Sequence, residues 1–262
     1  MCEKFHLYEN IKNNSNLSDV YISVYQPLIK VGNGCVVIFA GGGYAERCHY
    51  EDVSYANYIV SLGITAFVVD YRVCPNHFPD QLLDARTAVR FVRKNCDKFK
   101  IDPNKVAVMG SSAGAHLCAL LSTYRDGIEK EELTENYNID YIPSAQILCY
   151  PVISSNDEII HEDSYKNLLG DLFSQKDKFS PELIADNKTP RAFIWHTSED
   201  SLVNVINSYV YAKKLKEEGV STELHVFPYG DHGMNLSNDD AYVGQWKNLL
   251  ENWLRYNKYL SV

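Results

Sequence analysis

Short, continuous apolar runs alternate along the chain with segments whose apolar residues have helical spacing. The apolar runs lie at residues 35–40, 64–71, 105–109, 145–150, 191–197 and 222–228. The helical patterns lie at residues 52–62, 80–97, 113–123, 203–218 and 239–256. Uninterrupted apolar strands that alternate with helices are typical of a mostly parallel sheet with helices on both faces. Residues 18–26 alternate polar and apolar positions, which predicts one further, half-buried strand.

The same pattern predicts one domain over residues 1–262, because no repeat, low-complexity tract or long linker divides the chain. Two polar segments, residues 124–142 and 155–190, have weak periodicity. Long irregular segments in a compact domain are often functional. Each of the two is therefore either a surface excursion or a lid or wall of a pocket.

Composition and charge exclude several classes of function. Lys and Arg total 25 against 34 Asp and Glu, a formal net charge of −9. An acidic chain without a basic cluster is not expected to bind nucleic acid or anionic lipid. Seven cysteines at wide spacing, without a CxxC pair, argue against a disulfide framework or a zinc site. Because we find no apolar leader and no run of about 20 apolar residues, we expect a cytoplasmic protein.

A candidate nucleophile follows the apolar run at residues 105–109. Residues 110–114 read GSSAG, which matches the pattern G-x-S-x-G with Ser112 at its centre. Such a serine stands on a sharp turn between a strand and a helix, in a strained conformation that exposes its hydroxyl. Ser111 is the rival hydroxyl, but it lacks the flanking glycine spacing. An ordinary glycine-rich turn is the alternative interpretation of these residues.

A serine hydroxyl needs a base that accepts its proton. Of eight histidines, His232 is the best placed, because it lies late in the chain in a loop after the apolar run 222–228. His196 lies at the end of another predicted strand and is the second candidate. We expect His116, one turn after Ser112, to pack beneath the turn.

The base in turn needs a carboxylate that orients its ring. Asp200 follows the run 191–197 and is the predicted partner of His232, with Glu199 as the adjacent alternative. Asp231 is next to His232 in sequence, so its carboxylate is badly placed to reach Nδ1 of that ring.

Three glycines at 41–43 follow the apolar run 35–40. Their backbone amides can approach a ligand oxygen without interference from a Cβ atom. We predict that the amides of Gly42, Gly43 and Ala113 form an oxyanion hole, and that Tyr44 contacts substrate. A phosphate-binding loop is the alternative, but neither G-x-G-x-x-G nor a Walker pattern is present.

Taken together, these motifs resemble the α/β-hydrolase superfamily over about residues 34 to 256. Within it the chain resembles the small acetyl esterase and acetylxylan esterase-like group, which is related to hormone-sensitive-lipase-type esterases. The residues that carry the resemblance are Gly41-Gly42-Gly43-Tyr44, Asp70-Tyr71-Arg72, Phe78-Pro79, Asp84-Ala85-Arg86, Gly110 to Gly114, Tyr150-Pro151, Ser180-Pro181, His196 with Asp200, and Asp231-His232-Gly233. The chain order of Ser112, Asp200 and His232 is the order expected of such a triad.

The resemblance implies a serine hydrolase without a cofactor that acts on short acyl esters, often acetyl groups on sugars. One departure is Ala40, where hormone-sensitive-lipase-type enzymes carry histidine before the glycines. The chain also lacks the long N-terminal segment from which those enzymes build a cap, so we expect no large cap domain. The expected binding partner is a small-molecule or carbohydrate ester. The sequence does not determine the oligomeric state, and a homo-oligomer is one of the states it allows.

Two other functions use the same motifs. An amide hydrolase, such as an arylformamidase or a small peptidase, would use the same three side chains. A non-catalytic ligand-binding relative would keep the fold, but such proteins commonly lose a triad residue, and all three candidates are present here.

Overall fold

The computed structural model describes residues 2–9, 17, 19–128 and 136–261. These residues build an eight-stranded sheet. Its strands, in chain order, are β1 (Cys2–His6), β2 (Tyr21–Tyr25), β3 (Cys35–Phe39), β4 (Thr65–Asp70), β5 (Val106–Ser111), β6 (Ala145–Cys149), β7 (Arg191–Thr197) and β8 (Thr222–Phe227). The spatial order is β1-β2-β4-β3-β5-β6-β7-β8. β2 pairs antiparallel with β1 and β4, and the five remaining pairs are parallel.

The helices follow the strands closely along the chain. They are α1 (His49–Ser61), α2 (Asp80–Lys94), α3 (Cys96–Phe99), α4 (Ser112–Thr123), α5 (Glu162–Leu169), α6 (Pro181–Ile184), α7 (Ile206–Glu217) and α8 (Trp246–Tyr256). Two 3-10 segments, Gly170–Phe179 and Val243–Gln245, precede α6 and α8. The last predicted helix therefore begins later than the pattern at residues 239–256 suggests.

Two hydrophobic cores lie on opposite faces of the sheet. Successive side chains of a strand point to opposite faces. Accordingly, Val37 and Phe39 of β3 pack in one core with residues of α2, α4 and α7. Val36 and Ile38 pack in the other core with residues of α1 and α8. This arrangement confirms the predicted fold class: a mostly parallel α/β sheet, of the α/β-hydrolase type, with helices on both faces.

Two regions differ from the predicted pattern. β1 is an antiparallel edge strand that we did not predict. The polar segment 155–190 folds into α5, the 3-10 segment Gly170–Phe179 and α6. Of the other polar segment, residues 129–135 lie outside the described residues. In the part that the structure describes, no helix is long and apolar enough to cross a membrane.

Candidate active site

Strand β5 runs directly into helix α4 at Ser112. Ser112 has φ +52°, a left-handed conformation that is costly for a residue with a side chain. The turn is close-packed: a Cβ on Gly110 would lie 2.4 Å from the carbonyl carbon of Gly114. A Cβ on Gly114 would lie 2.2 Å from the carbonyl oxygen of Phe39. Glycine at 110 and 114 is therefore a steric requirement of the turn that presents Ser112.

Three of the predicted site residues form one chain of hydrogen bonds. Ser112 Oγ lies 2.9 Å from His232 Nε2, and His232 Nδ1 lies 2.7 Å from Asp200 Oδ2. An ionised carboxylate accepts the Nδ1 proton, which leaves Nε2 as the acceptor for the serine hydroxyl. In this arrangement His232 is oriented to take the proton of Ser112.

Asp200 is held by more than its bond to His232. Its Oδ1 accepts the amides of Leu202 and Val203 at 3.0 and 2.8 Å, and its Oδ2 also accepts from His196 at 3.0 Å. Burial raises the pKa of Asp200, but the hydrogen bonds from His196, His232 and the Val203 amide outweigh it and hold this pKa well below its usual range. Asp200 is therefore ionised at neutral pH.

The alternatives weighed for base and acid lie elsewhere. His196 is fully buried, and both of its ring nitrogens are engaged away from Ser112: Nε2 donates to Asp200 Oδ2 and Nδ1 accepts from the Ser208 hydroxyl. The Asp231 carboxylate accepts from Ser201 and from the backbone amide of His232. Glu199 is exposed on the surface.

The glycine loop lies beside Ser112. Gly42 and Gly43 line the same cleft as Ser112. Their amides donate to no acceptor in the described part of the chain. Gly42 has φ +119°, and a Cβ there would lie 2.4 Å from the Glu46 carbonyl oxygen, so glycine is required. Ala113, the third predicted donor, follows Ser112 in the first turn of α4. The structure thus brings Gly42, Gly43 and Ala113, the three predicted oxyanion-hole residues, close to Ser112.

The structure contradicts the prediction that Tyr44 contacts substrate. Tyr44 has φ +59°, and its side chain is fully buried, 2.8 Å from His116 Nδ1. Burial lowers the pKa of His116 to about 4, with the bond to the Phe179 carbonyl opposing this, so the ring is neutral at pH 7. Its Nε2 donates to that carbonyl at 2.9 Å, and Nδ1 accepts from the Tyr44 hydroxyl. Tyr44 supports the glycine loop from beneath.

Glu51 is a site residue that we did not predict from the sequence. It is 3% exposed, and it accepts hydrogen bonds from the Ser111 hydroxyl, the Gly41 amide and the Tyr150 hydroxyl. Burial and the negative charge of Glu51 raise the pKa of Tyr150, so this hydroxyl keeps its proton. The Tyr150 ring meets the His232 ring edge-on, with centroids 5.0 Å apart. Glu51 thus joins the glycine loop, the nucleophile turn and the base.

The cleft above Ser112 has a volume of about 460 Å³. One wall is the α5 wall, which we define as residues 161–169. Its cleft-lining side chains are His161, Asp163, Lys166 and Asn167. Asn167 Nδ2 donates to the Gly43 carbonyl at 2.9 Å, which fastens this wall to the glycine loop. The sequence left two interpretations of segment 155–190, a surface excursion or a lid or pocket wall. The first half of the segment forms a pocket wall. Among the described residues, no three His, Cys, Asp or Glu side chains are placed to hold a metal ion.

The model of the BD-FAE family matches residues 22–215, well over half of the chain. The chain belongs to the BD-FAE family. A solved structure of an acetyl ester-xyloside bifunctional hydrolase from Caldicellulosiruptor lactoaceticus is similar to this BD-FAE protein. The two are 38% identical with a TM-score of 0.89, over 99% of this chain and 97% of that chain.

Two curated relatives are longer than this BD-FAE protein. Endo-1,4-beta-xylanase B from Butyrivibrio fibrisolvens is 38% identical over 82% of this chain and 34% of its own length. The acetylxylan esterase from Xylanibacter ruminicola is 30% identical over 84% of this chain and 45% of its own length. The chain thus spans between a third and a half of the length of these relatives.

Proposed function

We propose that this BD-FAE protein is a serine esterase that removes acetyl and other short acyl groups, with sugars or xylo-oligosaccharides as the alcohol. The observation that carries the proposal is the hydrogen-bonded chain from Ser112 through His232 to Asp200, beside the amides of Gly42 and Gly43, which no described residue accepts from. The acetyl ester and acetylxylan esterase names of the relatives support the choice of acyl group and alcohol.

In the first half of the reaction, Ser112 Oγ attacks the acyl carbonyl carbon while His232 Nε2 accepts the serine proton. The carbonyl oxygen becomes an oxyanion, and the amides of Gly42, Gly43 and Ala113 donate to it. Removing one such donor typically costs about 3 kcal/mol of transition-state stabilisation. The ester C–O bond then breaks, and the proton on His232 passes to the leaving alcohol oxygen. Ionised Asp200 stabilises the imidazolium that exists between these two transfers.

The second half of the reaction repeats these steps with water. His232 accepts a proton from water, and the resulting hydroxide attacks the acyl carbon on Ser112. The bond between Ser112 Oγ and that carbon breaks, and His232 returns the proton to Ser112. Acid and free serine are the products, so no cofactor is consumed.

The α5 wall adds polar groups to one side of the cleft. Four polar residues of the α5 wall line the cleft: His161, Asp163, Lys166 and Asn167. Lys166 also pairs with Glu162, and Asn167 donates to Gly43. Such donors and acceptors match sugar hydroxyls better than they match an apolar chain.

An activity panel tests this proposal. We expect turnover of p-nitrophenyl acetate and of an acetylated xyloside, and a loss of about 10⁴-fold or more in kcat for both in Ser112→Ala. An aryl formamide and a dipeptide belong in the same panel. Faster turnover of either amide would replace the esterase assignment by an amide hydrolase, and undiminished turnover by the variant would remove Ser112 from the mechanism.

A further inference from the structure

His161 is a second histidine in the cleft that the proposed mechanism does not use. It precedes α5 and lines the same cleft as Ser112 and His232. Its Nδ1 accepts the backbone amide of Ser164 at 3.3 Å and lies 2.8 Å from the Ser164 hydroxyl. The ring is therefore the N-cap of α5, and its Nδ1 is occupied as an acceptor.

The remaining ring nitrogen of His161 is a hydrogen-bond donor. Burial lowers the pKa of His161, as does the nearby His232, so the ring is neutral at pH 7. In a neutral ring whose Nδ1 accepts, the proton is on Nε2. Within the described ranges this Nε2 has no hydrogen-bond partner. His161 thus borders the catalytic cleft with an N–H donor for which the described part of the chain provides no acceptor.

His161 begins the α5 wall, and His232 is close enough to lower its pKa. Just before it, the carbonyl of Ile159 accepts from Asn207, at the start of α7 in the segment that follows Asp200. Six residues after it, Asn167 bonds to the glycine loop at Gly43. Six helical residues span about 9 Å. The wall therefore runs from the His232 side of the cleft, where the leaving alcohol is protonated, to the oxyanion side.

We propose that His161 is a specificity-determining residue for the leaving alcohol. Its Nε2–H donates a hydrogen bond to a hydroxyl or ether oxygen of the alcohol portion, so esters of hydroxylated alcohols are preferred over simple aryl esters. The inference rests on the proposed esterase function, and it adds the residue that recognises the alcohol portion of the ester.

Two substitutions separate this donor from the helix cap. Serine is a good N-cap residue, so His161→Ser keeps an acceptor for the Ser164 amide but removes the donor from the cleft. His161→Gln does the reverse, because the glutamine amide nitrogen takes the place of Nε2 while the cap acceptor is lost. The measured quantity is selectivity: kcat/KM for an acetylated methyl xyloside divided by kcat/KM for phenyl acetate.

We expect selectivity to fall about threefold to tenfold in His161→Ser, the range of one neutral hydrogen bond. His161→Gln should keep most of the selectivity and instead lower Tm by roughly 2–4 °C, since it loses the cap. Unchanged selectivity in His161→Ser, an equal fall in both variants, or a fall in His161→Gln alone would overturn the inference.

Failure of the proposed function has a different signature. If wild-type protein hydrolyses neither ester, or Ser112→Ala hydrolyses both as fast as wild type, the esterase mechanism itself fails. If wild-type turnover depends on Ser112 but selectivity is the same with and without the donor at position 161, only the assignment of His161 is wrong.

Discussion

The two sides of the cleft are built in different ways. On one side, Ser112, Asp200 and His232 lie at the carboxyl ends of β5, β7 and β8, and they hydrogen-bond to one another. On the other side, the α5 wall lines the cleft with polar residues, among them His161, whose Nε2 has no acceptor among the described residues. Side chains that hydrogen-bond to one another are held in the geometry that a reaction needs. A side chain with an unused donor can instead bind a ligand. We infer that the strand ends set the chemistry and the α5 wall selects the alcohol.

Two links, a buried one through His116 and a half-buried one through Asn167, connect the two sides of the cleft. His116, on α4 after Ser112, bonds to Tyr44 under the glycine loop and to the carbonyl of Phe179 in the 3-10 segment after α5. Asn167 joins the α5 wall directly to Gly43. Substitutions on each side, and in the link between them, should therefore have distinct effects.

The largest effect is expected from Asp200→Asn. The amide no longer favours the His232 tautomer with its proton on Nδ1, so kcat should fall by about 10³- to 10⁴-fold for every ester, with selectivity unchanged. Steady-state kinetics on phenyl acetate and an acetylated xyloside measure both quantities. Asp231→Asn is the matched control, because that carboxylate is adjacent to His232 in sequence but does not meet its Nδ1. A loss as large in the control would contradict the assignment of Asp200.

A smaller effect is expected from Gly42→Ala. The new methyl group would lie 2.4 Å from the Glu46 carbonyl, so the loop must shift, and kcat should fall by about 10²- to 10³-fold through a misplaced oxyanion donor. Gly43→Ala is the comparison: its Cβ would meet nothing nearer than 3.8 Å, and its cost is about 1 kcal/mol of backbone strain. Equal losses in kcat would show that the steric account of the loop is wrong.

The link through His116 should be sensitive to acid. Its folded-state pKa of about 4 lies below the ordinary value of 6.5, so the unfolded chain binds this proton first. The contribution is complete above pH 6.5 and decreases as the pH falls toward 4. By pH 4.5 the loss should amount to about 2–3 kcal/mol of unfolding free energy. Urea unfolding at pH 7 and 4.5 should show a steeper loss in wild type than in His116→Gln, and parallel losses would contradict this prediction.

The strand-end side of the cleft is the part that sequence patterns predict well. Apolar runs mark the parallel strands, and the residues that follow them meet at one sheet edge, so the sequence alone predicts that Ser112, Asp200 and His232 lie together, as they do in the structure. Because the turn requires glycine at positions 110 and 114, it can be recognised in the sequence as the G-x-S-x-G motif. In contrast, β1 is a short edge strand whose alternation is indistinct, and it was missed.

The other residues depend on information that a linear pattern does not contain. Tyr44 follows the glycines, as a substrate contact would, but its left-handed φ sends the side chain beneath the loop. Glu51 matters because three donors from distant segments converge on it. The α5 wall lies in a segment with short helical turns, where the periodicity is too brief to predict which side chains face the cleft.

The central claim is that Ser112 is the nucleophile, and covalent trapping tests it most directly. A fluorophosphonate should form a bond between phosphorus and Ser112 Oγ with loss of fluoride, and peptide mapping by mass spectrometry locates the adduct. We predict one equivalent of label on Ser112, loss of esterase activity in proportion to labelling, and no label in Ser112→Ala. Label on a different residue, or full activity in protein whose Ser112 is completely modified, would contradict the account.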